Sequence, residues 1–344
     1  MLVFYIIILL LSLYGISFIK SGFNQDYISK EQCNAIKGIF ILIVFIRHIW
    51  PYLRNYGYVF TSSSDSIFMW IDRWMGQLIV VAFLFYSGFG VMESIKIKGN
   101  QYIDDMPRKR ILNTLLNFDV AVSVFLVIDL ILGINLKPIS TLLAFTGWTS
   151  IGNSNWYIFV ILICYLCTWI GFKLGKGWMA FFLLATAYII LFNTKSNPVW
   201  YNTIFSFAAG LLYSQFKSQI EPFVHQWYWI VLPTSILVFF SVHTQNFSFY
   251  GLKDNLASIL FALSIVVVSM KIKVGNKVLI WCGTKLFPLY IYQRIPMIFL
   301  SKFDGGAFIS RHPFAYVWTC LLVTIAIALL FRSLSIPQLE RKHP

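Results

Sequence analysis

The sequence predicts an all-α membrane protein, a polytopic helix bundle of about ten to eleven transmembrane helices with no soluble domain. Hydrophobic residues make up 58% of the 344 positions and charged residues only 12%, whereas roughly 25% of the residues in a soluble domain are charged. Apolar runs of about 20 residues, the length that crosses a bilayer, recur along the whole chain. Only short polar connections separate them, so no stretch is left for a folded soluble domain.

Eleven candidate spans follow one another. The first has no basic residue before it and no A-x-A site after it, which predicts a retained helix rather than a signal peptide. The segment 138–148 is too short to cross the membrane, and we expect a re-entrant loop there. The candidate spans are 3–19, 35–53, 74–93, 112–133, 156–172, 178–193, 199–216, 228–243, 255–270, 278–300 and 314–334.

The distribution of positive charge predicts the orientation of the chain. Connections after odd-numbered spans, together with the tail, hold roughly twice as many Lys and Arg residues as the opposite connections. Positive charge in short loops collects on the cytoplasmic side. We therefore expect a multi-pass protein of a bacterial-type plasma membrane with its N-terminus outside and its C-terminus in the cytoplasm. The net charge of +14 then reflects topology rather than nucleic-acid binding.

The second span, AIKGIFILIVFIRHIWPYL (35–53), carries the first candidate site residues. His48 lies eleven residues beyond Lys37, about 16 Å further along a helix and only about 20° around its axis. Lys37 and His48 therefore share one stripe, while Arg47 points about a quarter-turn away. Ionisable side chains are costly in a bilayer and indicate a functional site. Asp72, Asp119 and Asp129 are the candidate carboxylates for orienting His48.

Two further groups of polar residues flank this helix. Arg108, Lys109 and Arg110 form either a cytoplasmic anchor or an anion site for phosphate groups. On the opposite side, polar and aromatic residues of two later spans lie at the depth of His48 and predict a cavity, unless they belong to an interfacial aromatic belt. These residues are Asn155, Trp156, Tyr157, Tyr290, Gln293 and Arg294.

Other chemistry has little support in the sequence. Cys164 and Cys167 form a Cys-x-x-Cys pair inside an apolar run, where we expect ordinary packing thiols rather than a redox or metal pair. We predict no metal site. The motifs of zinc proteases, serine hydrolases and nucleotide-binding loops do not occur.

Five motifs in order resemble family 3 of the integral-membrane acyltransferases, which O-acetylate cell-surface glycans and related acceptors. They are KGIFILIVFIRH (37–48), FLFYSGFG (83–90), the partial arginine motif RILN (110–113), NWYIFVILICYL (155–166) and CGTKLFPLYIYQRIP (282–296). Asn113 stands where the family has its second arginine, and Gln293 where many members have histidine. The resemblance covers roughly residues 30–335, which would form the acyltransferase domain. Residues 1–29 would be an additional helix and loop, and 336–344 a cytoplasmic tail.

The resemblance implies transfer of an acyl group, most simply acetyl, from cytoplasmic acetyl-CoA to a hydroxyl of a glycan or lipid-linked saccharide on the outer side. Lys37, Arg108, Lys109 and Arg110 would hold the CoA phosphates. His48 would act either as general base or as transient acyl carrier. Arg47, Arg294 or Gln293 would stabilise the oxyanion. A secondary transporter or a glycan flippase-type protein is the alternative, with the same polar residues as substrate or proton-relay groups.

Overall fold

The computed structural model describes residues 1–245, 251–303 and 305–334 and shows a helical bundle. The α-helices are α1 (Leu2–Leu13), α2 (Lys30–Asn55), α3 (Ser63–Met75), α4 (Leu78–Lys98), α5 (Asn100–Met106), α6 (Asn113–Ile131), α7 (Pro138–Ala144), α8 (Trp156–Lys173), α9 (Gly177–Thr194), α10 (Phe205–Gln226), α11 (Tyr228–His243), α12 (Leu252–Ser269), α13 (Lys277–Thr284), α14 (Leu286–Tyr292), α15 (Arg294–Phe303), α16 (Ala307–Arg311) and α17 (Pro313–Leu334). A π-helical turn (Pro107–Leu112) precedes α6, and a 3₁₀ turn (Pro198–Trp200) precedes α10. The predicted all-α, polytopic fold is confirmed.

Two three-residue strands join the segment after α1 to the segment after α12. β1 (Ile16–Phe18) pairs antiparallel with β2 (Ile272–Val274). Next to this pair, the Asn276 side chain donates hydrogen bonds to the carbonyl oxygens of Leu11 and Tyr14, at 2.9 and 3.2 Å. The N-terminal segment that the sequence separates from the rest is therefore attached to the connection between α12 and α13.

Fewer helices than predicted are long and apolar enough to cross a membrane. Within the described ranges seven meet this condition, or eight if one bent pair counts as a single span, against the ten to eleven expected. The predicted first span, 3–19, is wrong in length, because its helix ends at Leu13 and a turn and β1 follow. The predicted spans 199–216 and 228–243 form the bent pair, α10 and α11, with a bend of 106° between the two helices. The tail, 336–344, lies outside the described residues.

The predicted span 278–300 is three short helices, α13, α14 and α15, rather than one. Pro288 and Pro296 are the third residues of α14 and α15. Proline has no N–H, so neither residue donates to the carbonyl four positions earlier, across each break. The breaks lie at Lys285 and Gln293. They bring Gln293 and Arg294 to a helix junction instead of a continuous helix face.

Many large apolar side chains face outward, as a surface in contact with lipid requires. The exposed faces of α9, α11 and α17 are typical, with residues such as Phe182, Leu237 and Leu322. Cys164 and Cys167 are buried in α8 and pack with the bundle core. Buried polar residues, by contrast, lie inside the bundle on many helices, among them α2, α3, α6, α10 and α12.

Glycines allow the helices that enclose this interior to approach closely. A Cβ atom on Gly88 of α4 would overlap the Phe207 carbonyl of α10, and one on Gly210 of α10 would overlap the Phe85 carbonyl of α4. Small residues are the usual means by which membrane helices bring their backbones together. The same holds for Gly38 of α2, which faces the backbone of Leu279 on α13.

The contact between α4 and α10 predicts a difference between two neighbouring glycines. Gly88→Ala places a methyl group against backbone that has no room for it, and we expect a loss of stability of about 1–3 kcal/mol. Gly90→Ala, two residues along the same helix, meets nothing within 4 Å and gains helix propensity. Thermal unfolding of the purified proteins in one detergent measures both. A Gly88→Ala protein as stable as the Gly90→Ala protein would contradict the tight crossing.

Candidate functional site

An interior cavity of about 260 Å³ lies among α2, α4, α8 and α14. Its walls on α4 are Phe83, Tyr86, Ser87 and Gly90, which recur at the spacing of one helix face. On α8, four residues at a similar spacing contribute, from Tyr157 to Tyr165. These two tyrosines are eight residues apart, so the cavity extends for about 12 Å along α8.

One part of the cavity is positively charged. Lys37 of α2 and Arg110 of the π-helical turn both line it, and no carboxylate among the described residues does. The Arg110 Nε atom donates to the Tyr102 hydroxyl at 3.0 Å. A half-buried lysine and arginine without an acidic partner in the same space form a site for an anion, because burying uncompensated charge is costly.

Arg110 and its basic neighbours lie in one π-helical turn but have different surroundings. A π-helix adds a residue to the turn and changes which side chains face inward; such turns are frequent at functional sites. Lys109 instead forms an exposed ion pair with Asp105 at 2.8 Å, and Arg108 does not line the cavity. Of the four residues expected to hold phosphate groups, the structure brings together Lys37 and Arg110.

Hydroxyl groups and aromatic rings follow along the cavity. The Ser87 hydroxyl lies 2.7 Å from the Tyr165 hydroxyl. Further along α8, the rings of Tyr157 and Tyr290 meet edge to face, with centroids 5.3 Å apart. The His48 ring lies behind Tyr290, 6.0 Å between ring centroids. Lys37 therefore lines the cavity, while His48 is separated from it by the Tyr290 ring.

His48 has positive neighbours and no carboxylate partner in the described part of the chain. Its Nδ1 atom is buried and makes no hydrogen bond there, and the charges that act on it are Arg294 and then Arg47. The three expected orienting carboxylates lie elsewhere in the structure. Asp72 binds Arg47, and Asp129 lines a separate cleft. Asp119 has a buried oxygen that receives no hydrogen bond from a described residue.

Arg47 is a link between helices. Its Nη1 atom donates to the Asp72 carboxylate at 2.8 Å and to the Asp72 carbonyl at 2.7 Å. The Asp72 side chain is 5% exposed, and Tyr5 of α1 also donates to it, at 3.5 Å. Arg47 thus holds α3 against α2 one residue before His48. The Arg47 guanidinium, which was predicted to stabilise the oxyanion, therefore already binds Asp72.

Several buried polar atoms around His48 have no hydrogen-bond partner among the described residues. Besides His48 Nδ1, they include the Tyr290 hydroxyl, Gln293 Oε1 and Arg294 Nε. Gln293 is fully buried and donates from Nε2 to the Tyr290 carbonyl at 3.0 Å. Buried polar groups nearly always have partners in native proteins, so this layer is where water or a polar ligand would bind.

Two residues expected in the polar layer have structural contacts. Asn155 donates from Nδ2 to the Gly147 carbonyl at 2.8 Å and so fixes the loop before α8. Trp156 packs edge to face on Tyr157, with ring centroids 6.0 Å apart. Asn155 and Trp156 do not line the interior cavity.

The sequence reasoning passed over several cavity residues. Ser87 belongs to the FLFYSGFG motif but was not predicted to line a cavity. Together with positions 83, 86 and 90 it forms one face of α4 that lines the cavity. Tyr165 follows Tyr157 and Ile161 at intervals of four residues. The α4 residues have i, i+3, i+4 and i+7 spacing and the α8 residues i, i+4 and i+8 spacing, and both place the side chains on one side of a helix. No such spacing distinguishes Arg110 from Lys109, since both lie in the π-helical turn.

No known protein family, characterised protein or solved structure with which the chain was compared matches it.

The Arg47–Asp72 ion pair predicts a specific loss of stability. Asp72→Asn leaves Arg47 without its charge partner inside the bundle, which we expect to cost about 3 kcal/mol. Arg47→Gln should cost a similar amount, and the double variant less than the sum. Lys109→Gln breaks an exposed pair and should change stability by less than about 1 kcal/mol.

Thermal unfolding in one detergent compares these four proteins. Asp72→Asn and Lys109→Gln variants of equal stability would show that the pair does not fix α3 on α2.

Proposed function

We propose that the chain is a membrane O-acyltransferase that moves an acyl group, most simply acetyl, from cytoplasmic acyl-CoA to a hydroxyl of a glycan or lipid-linked saccharide. The observation that carries this proposal is the interior cavity, which has Lys37 and Arg110 in its wall and leads to the Tyr290 ring against His48. The five sequence motifs support the same reaction.

The residues of the cavity fit the donor in chemistry and size. Lys37 and Arg110 would bind phosphate oxygens at the cytoplasmic end, since guanidinium and ammonium groups pair strongly with phosphate. The volume of about 260 Å³ suits a narrow pantetheine-like arm and not a nucleotide, which would stay at the mouth. Ser87 and Tyr165 offer hydroxyl groups along the way for an amide-containing arm.

The bound donor supplies an activated thioester carbonyl and a thiolate leaving group. His48 would accept the proton of the acceptor hydroxyl while the new ester C–O bond forms and the C–S bond breaks, and the proton then passes to the thiolate. Alternatively, its ring nitrogen would carry the acyl group transiently. Arg294 donates from Nη2 to the Tyr52 hydroxyl at 3.4 Å, but its buried Nε has no partner among the described residues. The Arg47 guanidinium is held by the Asp72 carboxylate, and the Gln293 Nε2 group by the Tyr290 carbonyl. Arg294 is therefore our choice for stabilising the oxyanion.

The proposed reaction requires one orientation of the chain across the membrane. The Lys37 and Arg110 end would face the cytoplasm, where acyl-CoA is made, and the His48 end would lie towards the outer side. That is the orientation predicted from the positive charge of the loops. The N-terminus would then be outside and the tail in the cytoplasm of a bacterial-type cell.

A transporter or flippase-type protein is a second candidate, favoured by one observation. The broken segment α13–α14–α15 resembles the discontinuous helices on which transporter binding sites are built. Its junction carries Gln293 and Arg294. Uptake or flipping of a saccharide by proteoliposomes without acyl-CoA, with no label transferred from acetyl-CoA, would favour this reading.

Replacement of His48 tests the chemical step. Membranes that contain the His48→Ala protein should transfer label from radiolabelled acetyl-CoA to cell-envelope glycans at least about a hundredfold more slowly than wild type, the usual effect of losing a general base. His312→Ala changes an exposed histidine near the start of α17 and should leave transfer unchanged. Label transfer that survives His48→Ala would remove His48 from the reaction.

Replacement of the cavity cations tests donor binding. Lys37→Met and Arg110→Met should each raise the KM for acetyl-CoA about ten- to a hundredfold, because each would remove a charge-assisted contact to phosphate. Lys109→Met, whose side chain lies outside the cavity, should leave the KM unchanged. The acetyl thioester of N-acetylcysteamine, which has no phosphates, should be used equally by all three variants. Equal losses with both donors would show that these residues act on folding, not on phosphate.

A further inference from the structure

A second and larger cleft, of about 750 Å³, lies at the far end of α2. Tyr52 and Asn55 of α2 form one wall, and Asp129 at the end of α6 forms another. The connection from α6 to α7, α7 itself, the loop at 150–152 and the last turns of α15 complete it. Of the residues predicted for the active site, Asp129 alone lines this cleft among the described residues, and it was predicted to orient His48.

The cleft is lined by groups that hydrogen-bond hydroxyls. Amides are provided by Asn55 and Asn135, hydroxyls by Ser140 and Thr141, and a carboxylate by Asp129. Tyr52 adds an aromatic surface. A concave site with convergent polar groups and an aromatic wall is typical of ligand sites. Two lysines, Lys137 and Lys302, also line the cleft. This mixture of amide, hydroxyl, carboxylate and ammonium groups suits a polyhydroxylated ligand better than a lipid chain.

Asp129 is the most specific feature of the cleft. The residue is 2% exposed, and no hydrogen bond or ion pair from a described residue reaches its carboxylate. A buried carboxylate without a partner is costly. Facing the cleft, it would accept hydrogen bonds from two hydroxyls of a ligand.

The cleft adjoins the polar layer around His48. Tyr52 lies one helical turn beyond His48 on α2, about 6 Å along the axis. Its hydroxyl accepts a hydrogen bond from Arg294 Nη2 at 3.4 Å, and Arg294 is the charge that acts most strongly on His48. His48 and Arg294 thus stand between the interior cavity and the cleft.

We infer that the cleft around Asp129 binds the saccharide acceptor and presents one of its hydroxyls towards His48 and Arg294. The Asp129 carboxylate holds neighbouring hydroxyls of the same sugar ring, and Tyr52 packs on the ring. This inference rests on the proposed acyl transfer for its reaction, but saccharide binding in the cleft is measurable without it.

Saturation-transfer NMR on the full chain in lipid nanodiscs tests the site without any donor. The probes are the methyl glycosides of glucose, galactose, mannose and N-acetylglucosamine, with cyclohexylmethanol as a ring-sized alcohol that lacks the ring hydroxyls. At least one glycoside should bind, and cyclohexylmethanol should not. Asp129→Asn should weaken glycoside binding about tenfold or more, since a hydrogen bond to a charged group is lost. Thr141→Val should weaken it less.

Two matched variants serve as controls. Asp104→Asn alters an exposed carboxylate that pairs with Lys173, and Thr186→Val alters a threonine of α9, and neither residue lines the cleft. Both should bind glycosides as wild type does. Binding that is unchanged in Asp129→Asn and Thr141→Val, or no glycoside binding above that of cyclohexylmethanol, would overturn the inference. If wild type transfers acetyl groups but binds no glycoside, the assignment of the cleft is refuted and the proposed reaction is not. If wild type binds glycosides in the cleft but transfers no acetyl group, the proposed reaction is refuted and saccharide binding is not.

Discussion

The structure depends on where positive charge is placed inside a bundle that has few acids. Each buried cation must find a carboxylate, a carbonyl, an aromatic ring or a ligand, because a bilayer interior offers no water to compensate it. Arg47 is satisfied by Asp72, which it joins through both side chain and carbonyl. Lys37 and Arg110 share a cavity with no described carboxylate in its wall. That contrast separates the cation that holds helices together from the cations available to an anionic donor.

Backbone features place the remaining polar groups. Close crossing of α4 and α10 at Gly88 and Gly210 brings the Ser87 face against α8. Prolines at positions 288 and 296 interrupt what would be one span. The second break places Gln293 and Arg294 at a helix junction inside the bundle. His48 then lies between two spaces of different character. One is narrow, with cations and tyrosines in its wall, and the other is wide, with amides, hydroxyls and Asp129.

Periodicity was sufficient for some of this arrangement and not for the rest. The alignment of Lys37 with His48 follows from eleven helical steps within one span, and the cavity faces of α4 and α8 follow the same spacing. The Asp72 partner of Arg47 and the distance of Asp129 from His48 depend on how separate helices pack, which no local pattern specifies. Lys109 and Arg110 both lie in the six-residue π-helical turn Pro107–Leu112, and no spacing in the sequence shows which of them faces the cavity. Helix breaks at Lys285 and Gln293 were signalled by two prolines but were hidden by the apolar character of the segment.

The most direct measurement is a cryo-electron microscopy structure of the protein in nanodiscs with a CoA thioether analogue of the acetyl donor, whose acyl group is not transferred. We expect density for the phosphates beside Lys37 and Arg110, and density for the arm past Ser87 and Tyr165 that ends at Tyr290 and His48. An analogue bound elsewhere on the protein, with the interior cavity empty, would contradict the assignment of this cavity as the donor site.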